Sequence, residues 1–145
     1  MQIPWYITAI GAGLIWGIHY PLIDHALKKL SLYSVLLLTV IPLLLILPFF
    51  TGTLRQDLHT FTTLTRFDQF AILGIGVTSV LASVLLFMSI GNKNATLASL
   101  IEITYPAFVV IFAWLIFREL HLNASVVVGG LLIMSGAALI IFNNQ

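Results

Sequence analysis

Glu102 is an acid in a place that excludes water. It stands in the run Ser99-Leu100-Ile101-Glu102-Ile103-Thr104-Tyr105-Pro106, well inside a long apolar stretch. A charged side chain in hydrocarbon costs about 3 kcal/mol on insertion scales, and it marks an ion or substrate path by default. On a helix, Ser99, Glu102, Tyr105, Pro106 and Val109 share one side, which therefore carries a hydroxyl, a carboxyl, a phenol and a kink. A carboxyl so placed takes up and releases a proton, or pairs with a cationic substrate. Competition between the two at one carboxylate is a compact route to antiport. The plain structural reading stands beside it: a protonated Glu102 hydrogen-bonded to a neighbouring helix and doing nothing else.

A second constellation lies near the N-terminus. Gly13, Trp16, Gly17, Tyr20, Pro21 and Asp24 share a helical face. Trp16 and Tyr20 on that face line an aromatic cavity or belong to the belt that Trp and Tyr form at the membrane interface. Tyr20 fits the belt better than Trp16, which lies deep. His19 is either a titrating site residue or a hydrated residue near a helix end. Pro21 and Pro106 are the candidate hinges, because proline removes a backbone donor and bends a membrane helix. Gly13, Gly17, Gly129 and Gly136 read as helix-packing positions where small residues allow close approach. No catalytic, cofactor or metal pattern appears. The four histidines, His19, His25, His59 and His121, never fall at helical ligand spacing, and there is no Gly-rich phosphate loop followed by Lys. The absence of Cys removes thiol chemistry and Cys-ligated metal. The chain is expected not to be an enzyme.

The elements that hold these residues follow from composition. Charged residues make up 8% of the chain, against about 25% in a soluble domain. That leaves too few to cover a water-facing surface. Five apolar blocks, at about 5–22, 34–50, 70–90, 95–117 and 124–142, approach the roughly 20 residues that cross a bilayer. They are continuously apolar rather than alternating, so each reads as a helix. The fold class expected is an all-α integral membrane protein of five transmembrane helices, with 1–145 as one domain. Its first helix is retained rather than cleaved as a signal, since no basic region precedes it. Asn94 and Asn123 read as helix caps. The long connection from Thr51 to Gln69 is left open: Leu54, Leu58 and Phe61 at helical spacing suit an interfacial helix, while its many Thr residues oppose one.

An odd number of helices puts the termini on opposite sides. Arg55, Arg66 and Arg118 fall on the N-terminal side, and Lys28, Lys29 and Lys93 on the other. Orientation follows the bias in such charges, and here there is none. Two copies inserted in opposite senses would pair as an antiparallel homodimer, supplying the inverted repeats from which transporters are commonly built. The lipid bilayer is the surrounding partner, and with a net charge of +1 there is no basic footprint for nucleic acid.

Trp16-Gly17 in the first helix, Arg66-Phe67-Asp68 ahead of the third, and Leu97-Ala98-Ser99-Leu100-Ile101-Glu102 leading to Tyr105-Pro106 occur in an order that resembles the EamA-type drug/metabolite transporter (DMT) superfamily. Arg118-Glu119 and the Gly129-Gly130 to Gly136 pattern extend the resemblance over essentially the whole chain. Members of that superfamily mostly have ten helices as two inverted five-helix repeats, and this chain resembles a single repeat. The resemblance implies a secondary transporter, an exporter or exchanger of small metabolites or drug-like compounds, working without ATP or cofactor in a bacterial-type inner membrane. It places Trp16, Glu102 and Tyr105 near a central cavity. A different reading of the same features is a non-transporting scaffold or regulatory subunit that pairs with another membrane protein through the polar seam at Glu102.

Overall fold

The computed structural model describes residues 4–119 and 122–144. Those residues hold five helical spans long and apolar enough to cross a membrane: Trp5–Leu27, Leu32–Thr63, Arg66–Asn92, Ala95–Phe117 and Ala124–Asn143. Among the described residues there is no strand. The chain divides into two compact units, one formed by Met1–Pro21 with Asn92–Gln145, the other by Leu22–Gly91.

The first span is helix α1 (Trp5–Leu27). Its 23 residues rise about 35 Å at 1.5 Å each, enough for a hydrocarbon core of about 30 Å. It outruns the apolar block because Asp24 and Lys28, one turn apart, close an ion pair of 2.7 Å beyond it. Pro21 lies inside this helix, and the boundary between the two units falls directly after it.

In the Leu22–Gly91 unit, Ser31 caps helix α2 (Leu32–Ile46) by accepting from the Ser34 amide at 3.4 Å. A 3-10 turn over Leu47–Phe50, with Pro48 at its start, leads into helix α3 (Thr51–Thr63). The Thr-rich connection is therefore helical. Its hydroxyls turn back on the helix: Thr60 donates to the Gln56 carbonyl, Thr62 to His59 and Thr63 to Thr60. Such back-bonding satisfies a threonine without leaving the helical conformation. Helix α4 (Arg66–Asn92) starts four residues before its apolar block. Thr65 accepts from the Asp68 amide at 3.2 Å and donates to the Asp68 carboxylate at 2.6 Å, a reciprocal cap. Ile23, Val35, Phe87 and Ile90 are the buried residues of this unit.

In the other unit, Asn94 caps helix α5 (Ala95–Glu102) through the Leu97 amide at 2.8 Å, and Asn123 caps helix α7 (Ala124–Asn143) through the Val126 amide at 2.9 Å. Both asparagines are the caps the sequence suggests. Helices α5 and α7 are in contact, and Ala95, Ala98 and Ala137 are buried there, since alanines let two helices approach closely. Lys93 donates to the Asn144 carbonyl at 2.9 Å, placing a cation at the C-terminal end of α7 where the helix dipole favours it.

Helix α6 (Tyr105–Phe112) continues the fourth span and passes into a π-helical turn over Ala113–Phe117. Arg118 stops it in the left-handed region, φ 59° and ψ 24°, donating its amide to the Trp114 carbonyl at 3.0 Å. That conformation costs a non-glycine residue about 1 kcal/mol. The Arg118 guanidinium lies 5.4 Å from the centre of the Trp114 ring, a cation–π contact worth about 0.5–1 kcal/mol that offsets much of the cost.

Most large apolar side chains on all five spans are exposed. In water that surface would collapse or aggregate; in a bilayer, lipid tails solvate it.

Candidate functional site

The fourth span is broken at its centre, and Glu102 is the last residue before the break. Proline has no amide hydrogen, so Pro106 leaves the Glu102 carbonyl, four residues earlier, without its helical donor. The chain adapts over Ile103 and Thr104. The Thr104 amide bonds the Ile101 carbonyl at 3.1 Å and the Ala107 amide bonds the Thr104 carbonyl at 3.1 Å, both tighter than the α-helical pattern. Pro106 then occupies the first turn of α6, where a missing amide hydrogen breaks no bond within α6 itself.

Across the unit, the Tyr20 hydroxyl of α1 donates to Oε2 of Glu102 at 2.5 Å. Both side chains are partly buried. Beside them, the Trp16 ring lies 5.6 Å from the Tyr20 ring at a tilt of 32°. The His19 ring meets Trp16 edge-on at 5.0 Å. Trp16, His19 and Tyr20 follow one another at helical spacing, so one side of α1 carries a chain of three rings whose last member, Tyr20, reaches the carboxylate. Tyr105 is close enough to Tyr20 to interact with it electrostatically, and it remains largely exposed.

The structure thus gathers Glu102, Tyr20, Trp16 and His19, with Tyr105 at the margin. It does not bring in Ser99, whose hydroxyl donates to the Thr96 carbonyl of its own helix at 3.1 Å. A Cβ built at Gly13, Gly17, Gly129 or Gly136 would meet no heavy atom within 4 Å, so no neighbour in this chain's described residues packs tightly on them. Among the described residues no group of three His, Asp or Glu side chains is placed to hold a metal.

Two features escape a reading of the sequence. The first is the pairing of Tyr20 with Glu102, separated by 82 residues. The second is an apolar groove between α6 and α7, bounded by Pro106 and Val110 on one wall and Ser125 and Gly130 on the other. Its sequence signal is the pair Gly129-Gly130, two adjacent residues without side chains in an otherwise bulky helix.

A helical, multi-pass membrane protein with a carboxylate at a mid-span helix break is the class these features define. The model of the EamA-like transporter family matches residues 3–142, and the chain belongs to that family. Its members are transporters rather than enzymes, and the match agrees with a DMT-type protein whose length is that of one five-helix repeat. No curated protein and no solved structure matches the chain significantly.

Proposed function

We propose that this chain is a secondary transporter, an exporter or exchanger of small metabolites or drug-like compounds, coupled to protons through Glu102. The observation that carries the reading is the Tyr20–Glu102 hydrogen bond at the break between α5 and α6. An ionised Glu102 accepts a strong, charge-assisted bond from the phenol; a protonated one accepts a bond roughly half as strong. Binding of a proton, or of a cationic group on the substrate, therefore loosens the tie between α1 and the end of α5. The break at Ile103 and Thr104, where the α-helical bonding pattern is interrupted, gives that end a place to bend. Trp16 and His19 extend the ring surface from Tyr20 along α1, Tyr105 adds a phenol at the margin, and Pro21 and Pro106 are the hinges.

One five-helix repeat needs a partner to enclose a cavity. The tie in Lys and Arg between the two faces supports insertion in both orientations and assembly as an antiparallel homodimer, in the manner of inverted-repeat transporters.

The test is proton-driven flux in proteoliposomes. Glu102→Gln is expected to abolish pH-dependent substrate movement while the protein still folds and reconstitutes. Wild-type flux with an unchanged pH profile in that variant would defeat the mechanism.

A further inference from the structure

The groove between α6 and α7 shares Pro106 with the break after Glu102 and has a size and length of its own. It encloses about 400 Å³. Pro106, Ala107 and Val110 form one wall; Ser125, Gly130 and Met134 mark the other from end to end. From Ser125 to Met134 is nine residues of α7, about 14 Å at 1.5 Å each. Half of a hydrocarbon core of about 30 Å is about 15 Å. The groove therefore runs from one membrane face to the midplane, the depth of a single leaflet. Its polar lining side chain, Ser125, already donates to Asn123 at 2.6 Å, so the groove offers a ligand hydrocarbon contact and little else. Space lies open beside Gly129 and Gly130, where a Cβ would meet nothing within 4 Å.

The cation nearest in sequence to the groove's outer end is Arg118. Arg118 ends the fourth span on the face where α7 begins, four residues before Leu122 of the groove. Four residues reach at most about 14 Å even when fully extended. The Arg118 guanidinium rests on Trp114, a residue type that sits at headgroup level, and among the described residues it has no carboxylate within ion-pair distance. Its planar fork of donors matches a phosphate. The strained left-handed backbone of Arg118 keeps this cation at the end of the span, in a position that glycine would fill more comfortably.

We infer that the α6–α7 groove is a binding site for one phospholipid, with an acyl chain filling the groove and the phosphodiester held by Arg118. The leaflet-deep length and the cation at its outer end select a lipid over a second copy of α7, which would need a contact running the full span. Because Pro106 belongs to both the groove wall and the break after Glu102, a bound chain braces the junction of α5 and α6.

The experiment is native mass spectrometry of the purified full chain in detergent, titrated with dioleoylphosphatidylglycerol or with dioleoylglycerol, which lacks the phosphate. One phosphatidylglycerol per chain is expected to stay bound. Arg118→Gly, which suits the backbone, should weaken phosphatidylglycerol about tenfold, the equivalent of one charged hydrogen bond, and leave dioleoylglycerol unchanged. Gly130→Leu fills the groove and should weaken both lipids about tenfold or more through lost chain contacts; Val110→Phe fills it from the other wall and carries the same expectation if Gly130→Leu does not fold. Equal lipid retention in the wild type, Arg118→Gly and the groove-filling variant would overturn the inference. So would a groove-filling variant that turns a dimer into monomers with lipid binding intact, which would assign the groove to a second copy.

Discussion

The phenol of Tyr20 is what makes the carboxylate of Glu102 tolerable in an apolar span. A hydrogen bond to a charged group contributes about 1.5–3 kcal/mol, and a buried acceptor left without it bears its own desolvation cost. The bond therefore has a measurable coupling energy. Tyr20→Phe removes the donor and Glu102→Leu removes the acceptor, and in a double-mutant cycle on unfolding in detergent the two are expected to couple by about 1.5–3 kcal/mol. Additivity within about 0.3 kcal/mol, the range for independent sites, would show that the pair is not joined. The same substitutions have different meanings for the sequence. Glu102 is legible because it is an acid among Leu and Ile. Its partner is not, because helices apolar on all sides carry no periodic signal of which face meets which neighbour. Trp16 and Tyr20 are placed on one face of α1 by their spacing alone, but His19 is not, and only the fold sets Tyr20 beside α5. Ser99 shares the predicted face with Glu102 and is still withdrawn, its hydroxyl turned to the Thr96 carbonyl.

The fourth span works as two short helices because of one proline. Restoring an amide at position 106 gives the Glu102 carbonyl a donor and lets α5 and α6 join into one helix. Pro106→Ala is therefore expected to stabilise the protein by about 1 kcal/mol, less than the full interior penalty of proline because the residue sits in the first turn of α6. The same change is expected to slow transport several-fold, since a continuous helix gives the end of α5 less freedom. Denaturation midpoints and proteoliposome flux read the two effects separately. A stabilised variant with undiminished flux would separate the break from transport. Breaks of this kind are partly legible: proline announces a kink, while the exact residues that absorb it, Ile103 and Thr104, depend on which carbonyls find new donors. Helix α3 was harder to read for the opposite reason. Threonine lowers helix propensity in isolation, yet here the hydroxyls of Thr60, Thr62 and Thr63 bond back to their own helix and the segment stays helical. The π-helical turn that ends at Arg118 left no mark in the sequence beyond an Arg that follows the last apolar residue.

Composition fixes the molecule as a membrane protein, but the number of copies and their orientations rest on charge, and charge can be edited. Lys28 and Lys29 account for two of the three cations on one face, and Arg55 and Arg66 for two of the three on the other. Removing the lysines as Lys28→Gln and Lys29→Gln leaves three against one and should fix the N-terminus on the cytoplasmic side; Arg55→Gln with Arg66→Gln should fix the reverse. Folding should survive the first change, because the Lys28–Asp24 pair is an i, i+4 surface contact worth about 0.3–0.5 kcal/mol. If the working unit is an antiparallel homodimer, each biased variant expressed alone should lose most transport, and the two expressed together should recover it. Reporters active only in the cytoplasm, fused to each terminus in turn, would show both orientations for the wild type and one for each variant. Full activity from either biased variant alone would rule out the antiparallel pair and leave a parallel assembly, in which the two Glu102 sites lie at the same depth and face the same way.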